Sequence, residues 1–203
     1  YVSDYPEIIV NVGQMYITDD GSTRIYVHLE KGRTSPYLGL GVNGTVEIDW
    51  GDGSATDTLT GTSLTSLQYE QHVYQPGDYV IRLTPVSGSF AITGHSSYNY
   101  SLLFRRSLYD NYDYQALCYL NSIIKVELGN NVYLQNSAFS MCSNLSTVLI
   151  SKGITSLSAN TFRYCYSLQS VIISNDVTDI GDRSFWFCPS IRSVSLPNNE
   201  NMN

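Results

Sequence analysis

The sequence predicts a mainly β chain with short helices, in which an N-terminal β-sandwich precedes a short solenoid of 23-residue repeats. Three observations predict it. Five apolar or cysteine columns recur at a constant offset of 23 residues in three copies near the C-terminus. The upstream half instead alternates apolar and polar residues with period two between turns that contain Gly or Pro. No segment of that half holds a helical period of useful length. The 203 residues are 42% hydrophobic and 14% charged, enough apolar content for a packed core. Domains of about 100 to 150 residues bury such a core without disulfides or metals. The expected division is 1–92 for the sandwich, 93–115 for a junction or cap, and 116–203 for the solenoid.

In the upstream half, Arg24 to Leu29 and Val46 to Trp50 alternate, which gives each a buried and a solvated face. The second run enters Gly51-Asp52-Gly53-Ser54, a tight turn that leads into the next strand as a hairpin. Pro76-Gly77-Asp78 is a further turn, feeding a strand that sets Tyr79, Ile81 and Leu83 on one core-facing side. The connection from Lys31 to Thr45, with Gly39, Gly41 and Gly44, has the weakest strand pattern, and strand order stays unassigned. Together, Trp50-Gly51-Asp52-Gly53-Ser54, the H-x-Y of His72 and Tyr74, and the P-G-x-Y-x-I-x-L that runs from Pro76 through Tyr79 to Leu83 resemble the PKD (polycystic kidney disease) domain, over roughly residues 12 to 92. The resemblance implies an immunoglobulin-like sandwich in which these residues are structural, His72 supplying a hydrogen bond near a strand corner. Ile48 stands where that family often carries an aromatic residue.

Residues 93–115 fit neither pattern. Leu102-Leu103-Phe104 and Leu108 are too apolar for a free linker, so this segment is expected to pack on the first solenoid turn as a cap and to limit motion between the halves.

The repeats follow. Phe139, Cys142, Leu145, Val148 and Ile150 recur as Phe162, Cys165, Leu168, Val171 and Ile173, then as Phe185, Cys188, Ile191, Val194 and Leu196. Leu117, Leu120, Ile123, Val126, Leu128, Val132 and Leu134 form a degenerate copy ahead of them. V-x-I puts two side chains on one face of a short strand, while F-x-x-C-x-x-L suits a tight helical turn or about two turns of helix. So short a unit cannot bury its apolar stripe alone, and copies must stack in one dimension. The form A-F-x-x-C-x-x-L-x-x-V-x-I, at Ala138 to Ile150, resembles the BspA-like leucine-rich repeats of bacterial surface proteins, over about residues 116 to 197.

The inventory for chemistry is thin. Cys142, Cys165 and Cys188 share one column and would lie about 5 Å apart along the stack, as a ladder of buried thiols rather than a zinc tetrahedron. Cys118 is out of register, and all four cysteines are expected reduced. Asp52 beside Gly53 is expected to accept N–H bonds within its own turn, and Asp49 to be solvated, so neither they nor Asp57 and the Asp19-Asp20 pair make a calcium loop. His28, His72 and His95 lie in no hydrolase or metalloprotease motif. No enzymatic activity, cofactor or metal is expected.

The remaining chemistry is aromatic. Tyr166 and Trp186, with Arg163 beside them, and Tyr109, Tyr112 and Tyr114 in the junction make up the expected ligand-binding surface. Tyr164 and Phe187, which share a column with Met141, are expected to pack between turns. A net charge of −7 disfavours nucleic acid, and no apolar run approaches the roughly 20 residues that span a bilayer. The chain opens Tyr1-Val2-Ser3, which fits a mature secreted form or a trimmed chain. No polar capping repeat follows Pro197, so either truncation or self-association through the C-terminal solenoid edge is expected. The BspA-like resemblance implies an extracellular or cell-surface binding module whose partner is a protein or a glycan. Two alternatives stand beside it: a structural spacer of a cell surface or phage particle, and a carbohydrate-binding accessory module.

Overall fold

A computed structural model describes residues 20–107 and 119–195 of the chain. Among these residues the chain is almost entirely β, and no helix is long and apolar enough to cross a membrane. Four antiparallel strands form the upstream part: β1 (Thr23–Leu29), β2 (Tyr37–Asp49), β3 (Asp57–Gln71) and β4 (Gly77–Ile92). They suit the expected sandwich, and their alternation is the predicted one, with Ile25, Val27, Leu29, Val46, Ile48, Ile81 and Leu83 buried. The weakly patterned connection proves to be strand from Tyr37 onward, pairing with β3 on one side and with β4 and β5 (Phe104–Arg105) on the other. Its glycines conceal the pattern while allowing close packing: a Cβ on Gly41 would collide with the Leu64 carbonyl. Leu64 lies in a bulge where the β2–β3 register shifts, and its carbonyl accepts a bond from Gln135 Nε2 of the solenoid at 3.2 Å.

Two stacks of strands build the solenoid. β6 (Ile123–Leu128), β8 (Thr147–Ile150), β10 (Ser170–Ile173) and β12 (Ser193–Ser195) form a parallel ladder in which Val126, Val148, Val171 and Val194 align. On the far side lie β7 (Val132–Leu134), paired with β4, and β9 (Ser156–Leu157), paired with β11 (Asp179–Ile180). The parallel ladder ends at β6, but the sheet does not. β1 pairs antiparallel with β4 on one edge and with β6 on the other, so one sheet of order β12-β10-β8-β6-β1-β4-β2-β3 crosses from repeats to upstream strands. One apolar cluster likewise runs from Ile25 and Trp50 to Phe162 and Val177.

Of the two forms expected for F-x-x-C-x-x-L, a tight turn or about two turns of helix, the described repeats take the tight turn. Left-handed residues stand two positions before and two after each Phe, Ser137 and Met141, then Asn160 and Tyr164, then Arg183 and Phe187, with φ between 55° and 66°. A left-handed residue ends a right-handed helix. Within the turns, Phe139, Phe162 and Phe185 stack nearly parallel at 5.6 and 5.5 Å. Beside them the Cys165 thiol donates to the Phe139 carbonyl at 3.2 Å and the Cys188 thiol to the Phe162 carbonyl at 3.0 Å. Cys142, Cys165 and Cys188 are free thiols, and burial pushes their pKa values up, which makes them poor nucleophiles. Cys118 lies outside the described residues.

Candidate functional site

The turns form a hydrogen-bonded ladder with a direction. In the first, the N–H groups of Ser137, Phe139 and Met141 donate forward to the carbonyls of Ala159, Thr161 and Arg163. In the second, those of Asn160, Phe162 and Tyr164 donate to Asp182, Ser184 and Trp186. Intervening N–H groups close the turns locally, as Ser140 does onto Ser137. Such a ladder has an acceptor edge and a donor edge. The acceptor edge is covered: Gly94 N–H donates to the Asn136 carbonyl, Ser101 N–H to Ser140, and the Ser101 hydroxyl to Ala138. At the donor edge, the N–H groups of Arg183, Phe185 and Phe187 have no acceptor among the described residues.

The aromatic cluster sits on this donor edge. Tyr166 and Trp186 are exposed at 48% and 40%, as the sequence led us to expect. Arg163, from the turn before, lies over both rings of its neighbours, 4.5 Å from the Trp186 centroid and 4.7 Å from that of Tyr164. Arg183 lies 5.8 Å from the same indole. Trp186 meets Phe187 edge-on at 4.7 Å, and Tyr164 touches Trp186, Phe187 and Tyr166 at 5.4, 5.4 and 5.9 Å. The sequence therefore identified three members, Arg163, Tyr166 and Trp186. It misplaced Phe187, which is 54% exposed rather than packed between turns, because no further described turn lies beyond it. Arg183 was missed, although it stands in the column of Ser137 and Asn160, where only the charge marks it out. Tyr109, Tyr112 and Tyr114 lie outside the described residues, as does the chain beyond Ser195 where self-association was expected.

The guanidinium of Arg163 is underused. Among the described residues its Nε is buried without a partner, and its side chain makes one hydrogen bond, a long one of 3.4 Å from Nη2 to the Tyr164 hydroxyl. Arg183 pairs with adjacent Asp182 at 3.4 Å, both side chains being more than half exposed, an arrangement that contributes little.

The upstream motif is self-satisfied by comparison. Trp50 Nε1 donates to Asp57 at 2.6 Å, His72 stacks on Trp50 at 4.8 Å and donates from Nε2 to Asp52 at 2.8 Å, and the Tyr74 hydroxyl donates to the Trp50 carbonyl. Asp52 also accepts from Ser54 N–H, and the His72 and Ser54 bonds hold its carboxyl well below the usual range. Gly51 N–H donates to Asp49, so that carboxylate is engaged in the turn rather than merely solvated. Tyr79 donates to the Gln75 carbonyl. Every polar group named here is spent within the motif, which fixes the turn after β2. Among the described residues no three His, Cys, Asp or Glu side chains converge as metal ligands. A groove of about 780 Å³ between β7 and β9, lined by Tyr133, Gln135, Lys152 and Thr155, gathers no comparable chemistry.

Compared with known proteins, residues 111–202 match the family described as BspA type leucine rich repeat region, in six copies. No curated protein and no solved structure matches the chain.

Proposed function

We propose that the chain is a non-catalytic binding module of a bacterial cell-surface or secreted protein, which holds a protein or glycan ligand at the turn edge formed by Arg163, Tyr164, Tyr166, Trp186 and Phe187. The observation that carries this reading is the contiguous, exposed aromatic cluster ordered by stacked guanidinium groups. Apolar exposure of this kind marks interaction surfaces, and Trp, Tyr and Arg dominate binding hot spots. The match of residues 111–202 to BspA-type repeats supports it, since that family is associated with surface and adhesion modules and its repeats typically serve as scaffolds. In this reading the upstream strands, with their PKD-like Trp50 to Gly53 turn, brace the repeats.

The test is a binding screen of the whole chain against extracellular-matrix proteins and a glycan array. A ligand is expected whose affinity falls at least tenfold when Tyr166→Ala and Trp186→Ala are combined, about 1.4 kcal/mol or more. A ligand that the double variant holds equally well would place binding elsewhere, and silence across the whole panel would favour the spacer reading.

A further inference from the structure

The first repeat is one residue short on its far side. Ile154 and Leu157 stand three residues apart, as do Val177 and Ile180, whereas Val132 and Leu134 stand two apart. β9 and β11 keep register and join through N–H bonds from Thr178 to the Thr155 carbonyl and from Gly181 to the Leu157 carbonyl. β7 cannot match that spacing and pairs with β4 instead, so among the described residues no strand pairing joins β7 to β9. The Ser158 hydroxyl donates to the Leu134 carbonyl at 2.7 Å and holds the two sides together at one end of the split. Along the split lies the groove of about 780 Å³, inside the repeat array and walled on both sides by described chain. Its volume is within the roughly 300 to 1,000 Å³ of small-ligand sites.

The floor is sealed: Val132, Leu134 and Ile154 are at most 5% exposed, so there is no apolar hole for a peptide side chain. Polar groups make the walls. The Asn131 amide and the Thr155 and Ser156 hydroxyls make no hydrogen bond among the described residues. Tyr133 faces outward between buried Val132 and Leu134, is 56% exposed, and has no ring stacked on it among the described residues. Lys152 is the charged residue of the lining, exposed and without an ion pair among the described residues. The neighbouring Gly153 N–H donates to Asp176 at 2.7 Å, which fixes the turn that carries Lys152.

We propose that this groove binds a uronate-bearing glycan, with a sugar ring on Tyr133, sugar hydroxyls on Asn131, Thr155 and Ser156, and a carboxylate on Lys152. Sugar hydroxyls both donate and accept, and so do an amide and a hydroxyl side chain. An aromatic ring with a polar tip suits a ligand that is apolar on one face and wet at its rim. The site is separate from the turn edge, and neither reading rests on the other. The net charge of −7 does not oppose contact, because charges beyond about 8 Å are screened at physiological salt.

The experiment uses the whole chain and a short labelled hyaluronan fragment, which alternates glucuronate with N-acetylglucosamine, followed by fluorescence anisotropy. The controls are a chitin fragment of equal length, which is neutral, and a peptide alternating Glu and Tyr. The hyaluronan fragment is expected to bind and to weaken about tenfold in Lys152→Gln and in Tyr133→Ala. Lys152→Arg should keep the binding, and so should the Tyr166→Ala and Trp186→Ala double variant. Failure of the hyaluronan fragment to bind, equal binding of chitin, or binding of the peptide in its place would overturn the proposal. So would indifference to both groove changes in chains of unaltered melting temperature. Loss of the fragment in the double variant alone would return the glycan to the turn edge, so the binding reading would stand while the groove proposal fell.

Discussion

Phe162→Ala is expected to destabilise the chain by about 4 kcal/mol, the largest loss from any single truncation in the repeats. Phe162 is fully buried at the centre of a three-ring column, nearly parallel to Phe139 at 5.6 Å and to Phe185 at 5.5 Å. Truncation removes the transfer energy of the ring, leaves a cavity, and breaks two aromatic contacts worth about 0.5 to 1.5 kcal/mol each. The turn cannot collapse to fill the space, because Phe162 N–H is bonded forward to Ser184 and its carbonyl accepts the Cys188 thiol. Against a total stability of about 5 to 15 kcal/mol, such a loss brings the chain near unfolding. Phe185→Ala should cost less than half as much, since Phe185 is only partly buried. Urea unfolding of the two variants checks both the size and the order, and equal losses would show that the column is not packed as described.

The second large effect concerns the shared sheet. Thermal unfolding of the whole chain is expected as one cooperative transition, with calorimetric and van't Hoff enthalpies in agreement. Separated fragments ending near residue 107 and starting near residue 119 should not melt cooperatively. β1 is hydrogen-bonded to β4 and to β6 at once, and Ile123, Val126 and Leu128 of β6 belong to the same buried cluster as Ile25 and Val27. Cutting there leaves an apolar, unpaired strand edge on each fragment, the kind of edge that aggregates. Two resolved transitions, or a soluble repeat fragment with native-like melting, would mean that the β1–β6 pairing contributes little.

The repeats were legible because a 23-residue period leaves columns that no local propensity can hide, and the buried Phe, Cys and Leu columns stand where those columns put them. Alternation likewise placed β1 and β4, and the Trp50 to Gly53 turn placed the β2–β3 hairpin. The start of β2 was obscured because Gly39 and Gly41 occupy positions where backbone approaches backbone, so composition there reports close packing rather than a loop. The β1–β6 junction was invisible, since a strand's second neighbour is a long-range choice that period two does not encode. Of the site, the aromatic members showed through as non-core positions in the repeat. The donor edge did not, because the N–H groups of Phe185 and Phe187 are a property of backbone direction, not of side-chain type.

Amide hydrogen exchange followed residue by residue tests the open donor edge most directly. The amides of Phe139, Phe162 and Tyr164, which donate to the next turn, should exchange orders of magnitude more slowly than those of Phe185 and Phe187. Equal protection of Phe162 and Phe185 in the free chain would contradict the account, because the edge would then already be covered.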